Sequence, residues 1–123
     1  MSGMNKVILI GNIGNEPEVR QAGDNKKLIL SIATSESWKD KEGKVQEETQ
    51  WHQVVAWGKQ AETLSRYTKK GDQIAVEGKL KHRSYEQDGV TKYATEVALS
   101  SFTFLKNAGQ DGKQKEFDDD IPF

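Results

Sequence analysis

In the segment 73–85, strand alternation puts Glu77, Lys79, Lys81, Arg83 and Tyr85 on one face, opposite Ile74, Val76, Gly78, Leu80 and His82. From Lys79 onward this face carries three cations and then a ring, whereas a solvated strand face would mix signs and would have no reason to include a ring. The segment 49–58 divides in the same way. Trp51, Gln53, Val55 and Trp57 share one face; His52, Val54, Ala56 and Gly58 share the other, whose small residues suit a tight interior. Trp38 stands apart, among charges. Aromatic rings offer flat platforms on which unpaired nucleobases stack, each worth about 1–3 kcal/mol. Cations offer charge to phosphates, and each phosphate neutralised on a single strand adds about −0.7 to the slope of log affinity against log salt. Trp38, Trp51, Trp57 and Tyr85 are the candidate platforms, and Lys41, Lys59, Lys70, Lys79, Lys81 and Arg83 the candidate phosphate contacts.

Plainer readings stand beside these. A strand tryptophan is as readily a core residue as a platform, although pairing two on one face, opposite small residues, favours the platform. Lys39, Lys44 and Lys106 read as solvated surface. Tyr67 and Tyr93 read as structural, the first packing a helix onto a barrel. His52 has no matched cysteine or carboxylate and reads as structural. There are no clustered carboxylates on a strand face, no glycine-rich phosphate loop and no nucleophile–base constellation, so no catalytic residue is assigned. Neither a metal nor any other cofactor is implied. Cysteine is absent, which removes disulfides and cysteine-ligated metals and fits a reducing, cytoplasmic compartment. No apolar run reaches the roughly 20 residues of a membrane span, and Met1-Ser-Gly-Met4 lacks the basic and apolar parts of a secretory leader.

These faces need strands to hold them. The 123 residues allow one domain. Asn5-Lys-Val-Ile-Leu-Ile-Gly11 reads as a first buried strand and residues 12–23 as a turn or irregular edge. Residues 27–34 form a second strand, 36–48 a charged, mobile hairpin connection carrying Trp38, and 49–58 a third strand. Residues 59–69 are the one plausible helix, with Ala61, Leu64 and Thr68 on one side and Lys70-Gly71 as its stop. Residues 73–85 and 91–105 form the fourth and fifth strands, turned by Gln87-Asp-Gly89. Five strands with a short helix between the third and fourth is the element order of an all-β, OB-type Greek-key barrel.

The runs Val7-Ile-Leu-Ile-Gly-Asn12, Ala33-Thr-Ser-Glu-Ser-Trp38 and Trp51-His-Gln-Val-Val-Ala-Trp-Gly-Lys59, then Tyr67, Lys69-Lys-Gly71 and Val76-Glu-Gly-Lys-Leu80, closely resemble the bacterial single-stranded DNA-binding proteins. The resemblance spans residues 4–105 in order and spacing. It implies an OB fold, a homotetramer, and single-stranded DNA wrapped around the assembly during replication, recombination and repair. It also implies base stacking at Trp38, Trp51, Trp57 and Tyr85, with the matching lysines and arginines along the strand's path. Position 57 is commonly phenylalanine in that family and position 85 commonly tryptophan; both exchanges keep a ring. Gln53 stands where arginine is common, which removes one phosphate contact, and His52 matches a position near the subunit interface. Stacking and phosphate contacts do not themselves read the sugar, so only the resemblance favours DNA over RNA.

Charge is divided along the chain. Residues 1–106 hold 16 Lys+Arg against 14 Asp+Glu, and residues 107–123 hold 2 against 5, within an overall formal charge of −1. Residues 107–116 read as a disordered linker. Phe117-Asp-Asp-Asp-Ile-Pro-Phe123 ends in a bulky ring beside a carboxylate, which a merely solubilising acidic tail would not need. Asp118, Asp119, Asp120, Ile121, Pro122 and Phe123 are therefore read as a docking tip, its acids meeting a basic rim and Phe123 an apolar pocket. In the resembled family this tip recruits replication, recombination and repair proteins. Its short tether also lets it compete with DNA for the basic face.

An OB module that mainly joins an assembly need not present four rings with cations, and an enzyme needs the constellations that are missing.

Overall fold

The computed structural model describes residues 2–107. Apolar residues spaced two apart, with turn residues between the runs, produce strands β1 (Val7–Ile13), β2 (Val19–Ala22), β3 (Asn25–Lys39) and β4 (Val45–Trp57). Helix α1 (Lys59–Tyr67) follows, then β5 (Gln73–Gln87) and β6 (Val90–Lys106). The sheet runs β1-β5-β6-β4-β3, and β1 pairs back onto β3 through Asn12↔Ala33 and Ile13↔Ile32. Five strands therefore close into the barrel expected from the sequence. At Gly11 a side chain would run into the carbonyl oxygen of Ala33, so closure needs a glycine there.

The interior takes the even-numbered residues Leu28, Leu30 and Ile32 of β3, Val54 and Ala56 of β4, and Ile74 and Val76 of β5. Ile13 and Val97 join them, and α1 closes one end with Ala61 and Leu64. The small-residue side of β4 thus faces inward and its tryptophan side outward.

Of the two readings of residues 12–23, the edge holds: Val19–Ala22 pairs with β3 from Val19↔Leu28 to Ala22↔Asn25, at the end of the sheet and as a regular ladder. Two local expectations need correction. Residues 36–48 are mostly ladder rather than a mobile connection, because β3 and β4 stay paired without a break from Lys27↔Trp57 to Lys39↔Val45. A carboxylate fastens the tip: Asp40 Oδ1 accepts the backbone N–H groups of Glu42 and Lys44, both at 2.9 Å, and Oδ2 accepts Gln46 Nε2 at 3.1 Å. The Lys44 N–H bond, foremost among these, holds the Asp40 carboxyl below its usual range. Finally, Tyr93 is exposed, and so is Tyr67, which touches Phe104 at 6.5 Å between ring centroids but is not packed under the helix.

The helix ends at Tyr67, two residues before its expected limit, with Thr68 already extended at φ −126°. Both the hydroxyl and the N–H of Thr68 donate to the Leu64 carbonyl, satisfying a group the helix end would otherwise leave open. Gly71 takes φ 98° in the turn beyond. Lys26 of β3 ties α1 to the barrel through an ion pair with Glu62, and its ammonium holds the Glu62 carboxyl below the ordinary range. At the far end of β5, Asp88 and Gly89 have φ 54° and 79°, the pair of positive values that a two-residue hairpin turn requires. Of the linker and acidic tip read at 107–123, only Asn107 falls within the described residues.

Candidate nucleic-acid interface

Register decides whether the two faces found by alternation are one. Val55 of β4 pairs with Ala98 of β6 in parallel, and Ala98 pairs with Lys79 of β5 antiparallel. Paired residues share a face of the sheet. Trp51, Gln53, Val55 and Trp57 therefore stand on the same outer side as Lys79, Lys81, Arg83 and Tyr85. One strand, β6, separates the two rows, so they run about 10 Å apart at normal strand spacing. The rings are available: Trp51 is 62% exposed, Trp57 46% and Tyr85 39%. Val55 is the exception on this face, buried beside Ile29 and Ala98.

Trp38 is 47% exposed but is not brought into this group. It pairs with Gln46, and both have the parity of the interior residues Leu30 and Val54. Where β3 and β4 run beyond the barrel, Trp38 thus occupies the side of the ribbon opposite Trp51. Lys41 lies in the turn past Trp38, Lys59 opens α1 two residues after Trp57, and Lys70 lies in the turn between α1 and β5. None of these three belongs to the row that the register joins.

Two cations cap rings. Arg83 lies over Tyr85 with 5.4 Å from its guanidinium carbon to the ring centroid, and Lys27 Nζ lies over Trp57 at the same distance. Both are cation–π geometries. Lys27 was not singled out by the sequence, since Lys26-Lys27 reads as ordinary charge until β3–β4 register sets Lys27 opposite Trp57.

Glu96 is the other residue missed. It pairs with Lys81 across β5–β6, in the middle of the basic row. Its carboxylate accepts Gln53 Nε2 at 2.9 Å and faces Arg83 Nε at 3.3 Å. An acid within a phosphate path would repel the strand, but here its charge is shared with Arg83, which it holds above Tyr85. Gln53 thus makes a contact to Glu96 where the resemblance suggested only a missing arginine. His52 has Nε2 2.9 Å from Thr34 Oγ1, a hydrogen bond between β3 and β4 that fits a structural role. Among the described residues, no group of His, Asp or Glu side chains is arranged to hold a metal ion.

A sheet face that alternates exposed rings with cations can stack flat groups and neutralise a polyanion.

Comparison with known proteins agrees with this geometry. The model of the Single-strand binding protein family matches residues 4–105. The chain is 45% identical over 106 residues to Single-stranded DNA-binding protein 1 of Chlorobaculum tepidum, covering 84% of this chain and 65% of that protein's length. Among solved structures, a Plasmodium falciparum SSB in complex with single-stranded DNA superposes with a TM-score of 0.78 at 30% identity. That match covers 86% of this chain and 98% of the other. A deletion mutant of the single-stranded DNA binding protein from Thermus aquaticus superposes at 0.75 and 32% identity, covering 87% of this chain and 53% of the other.

Proposed function

The chain belongs to the single-strand binding protein family, and from that premise we propose that it binds single-stranded DNA without altering it, with little regard for sequence. The observation that carries this reading is the joined outer face. Trp51 and Trp57 stack bases, and Lys79, Lys81 and Arg83 take phosphates beside Tyr85. Trp38 and Lys41 extend the path along the β3–β4 ribbon, and Lys59 and Lys70 meet the strand where it passes the ends of α1. The reading is tested with a labelled oligo-dT and a duplex of equal length, comparing fluorescence anisotropy. Tight binding to the single strand and weak binding to the duplex are expected, because paired bases present no free face to the rings. Equal affinity for both would reject it.

The finer assignments belong to the same proposal. The chain acts in the cytoplasm during replication, recombination and repair, as a homotetramer, and serves no catalytic step. Support for self-association comes from β1, whose outer face leaves Ile8 and Ile10 more than half exposed. Residues 1–106 form the DNA-binding domain. The tip Asp118, Asp119, Asp120, Ile121, Pro122 and Phe123 docks partner proteins of those processes and, when unoccupied, competes with DNA for the basic face. Deleting residues 118–123 is then expected to raise affinity for oligo-dT severalfold at low salt, and less at high salt, where the attraction is screened. Unchanged low-salt affinity would count against the competition.

A further inference from the structure

The outer face does not stop at the tryptophans. On the far side of β3 from β4 lies a cavity of about 450 Å³, lined among others by Glu16, Glu18, Arg20, Lys27 and Ile29. This volume falls within the roughly 300–1,000 Å³ of small-ligand sites. Its place relative to the rings follows from register. Lys27 pairs with Trp57 and caps its ring, so one end of the cavity adjoins Trp57. The other end adjoins Trp51. That ring crosses the small residues of β3 to lie against Gly14, where a side chain would run into Trp51 Cζ3. Ile29, between these ends on β3, faces outward and forms part of the wall.

The wall opposite β3 is built rather than incidental. Gly14 N–H donates to the Ser31 carbonyl at 2.7 Å, Asn15 Nδ2 to the Ile29 carbonyl at 3.0 Å, and Ser31 N–H to Asn15 Oδ1 at 2.8 Å. Three hydrogen bonds thus hold the start of the segment 14–18 against the strand. Arg20 pairs with Lys27 across β2–β3, which puts two cations on one side of the recess.

We propose that this recess is a nucleotide subsite between the two stacking rings, taking a base that bears an exocyclic amine. The inference rests on the single-strand reading above. Lys27 brings the recess to Trp57 and the Gly14–Asn15 segment brings it to Trp51, so a strand stacked on these rings has a route into it, where Arg20 and Lys27 meet its phosphates. Glu16 and Glu18 are acceptors only, so the base edge that suits them is one that donates. Cytosine presents its N4 amine, which carboxylates accept. Thymine's only ring N–H lies between two carbonyl oxygens that repel a carboxylate. The carboxylates therefore lower the cost of placing cytosine there relative to thymine, whatever the general preference of the stacking face.

The test compares oligo-dC with oligo-dT of equal length, for the full chain and for a Glu16→Ala/Glu18→Ala variant. Both glutamates are exposed, and neither takes part in the core. In the variant, affinity for oligo-dT holds or rises as negative charge is lost, while the ratio of dC to dT affinity falls by roughly fivefold, near the low end for one base-edge contact. Arg20→Ala lowers both affinities together and reduces the salt slope. A ratio unchanged by the glutamate variant would overturn the subsite. Failure of the unaltered chain to bind either oligomer would overturn the single-strand reading, and the subsite with it.

Discussion

Replacing Trp51 and Trp57 together with alanine is expected to weaken oligo-dT binding by about 2–6 kcal/mol, at least some thirtyfold, on the scale of two lost base stacks. The fold should survive the change. Both rings lie on the outer side of β4, while the inward neighbours Val54 and Ala56 carry the packing. Thermal unfolding of the variant should therefore stay close to that of the unaltered chain, although Lys27 loses the ring it caps. The salt slope should change little, since the phosphate-facing cations on β5 remain. Loss of affinity with an unchanged slope separates stacking from charge. A fall in both would mean that the rings serve mainly to position the cations.

Leu30→Ala is expected to have the largest effect on stability. Leu30 is fully buried and pairs with Val54 at the centre of the barrel wall. Removing a buried leucine side chain costs about 2–5 kcal/mol, since the cavity left behind closes only in part. That is a large share of the roughly 5–15 kcal/mol that keeps a domain folded. At about 4–8 °C per kcal/mol for a domain near this size, Tm should fall by roughly 10 °C or more. Calorimetry on the purified chain checks it, and a shift of only a degree or two would show that the barrel closes over the gap. DNA affinity measured well below the new Tm should be nearly unchanged, because Leu30 faces away from the rings.

Alternation along β4 and the first half of β5 is enough to assign inner and outer residues there, because those stretches have one apolar side against the core; beyond Gly78 both sides of β5 are exposed, Leu80 and His82 included. Alternation cannot join the two faces. The link is the pairing of Val55 with Ala98, 43 positions apart, and a single strand's periodicity carries nothing about its neighbour. The β3–β4 ribbon past the barrel reads in the sequence as a mobile connection because neither of its sides is buried. Charged residues such as Glu36, Glu47 and Glu48 hide a ladder held by backbone bonds and by Asp40 at its tip. That reading also conceals which side Trp38 takes. The region of β2 reads only as a turn or irregular edge because its four strand residues hold a single large apolar side chain, Val19, too few to show a period. Yet β2 and the segment before it supply Glu16, Glu18 and Arg20 to the recess beside the tryptophans. Legibility followed burial: where a strand covers the core its sequence shows a face, and where it projects into solvent only its partners do.

The central claim, that bases stack on the outer tryptophans of this barrel, is tested most directly by titrating the full chain with oligo-dT while following tryptophan fluorescence at two salt concentrations. Strong quenching is expected, with a sharp stoichiometric break at low salt and a weaker, shifted curve at high salt. A bound complex that leaves the fluorescence unquenched would contradict the account, because Trp51 and Trp57 would then lie outside the path of the strand.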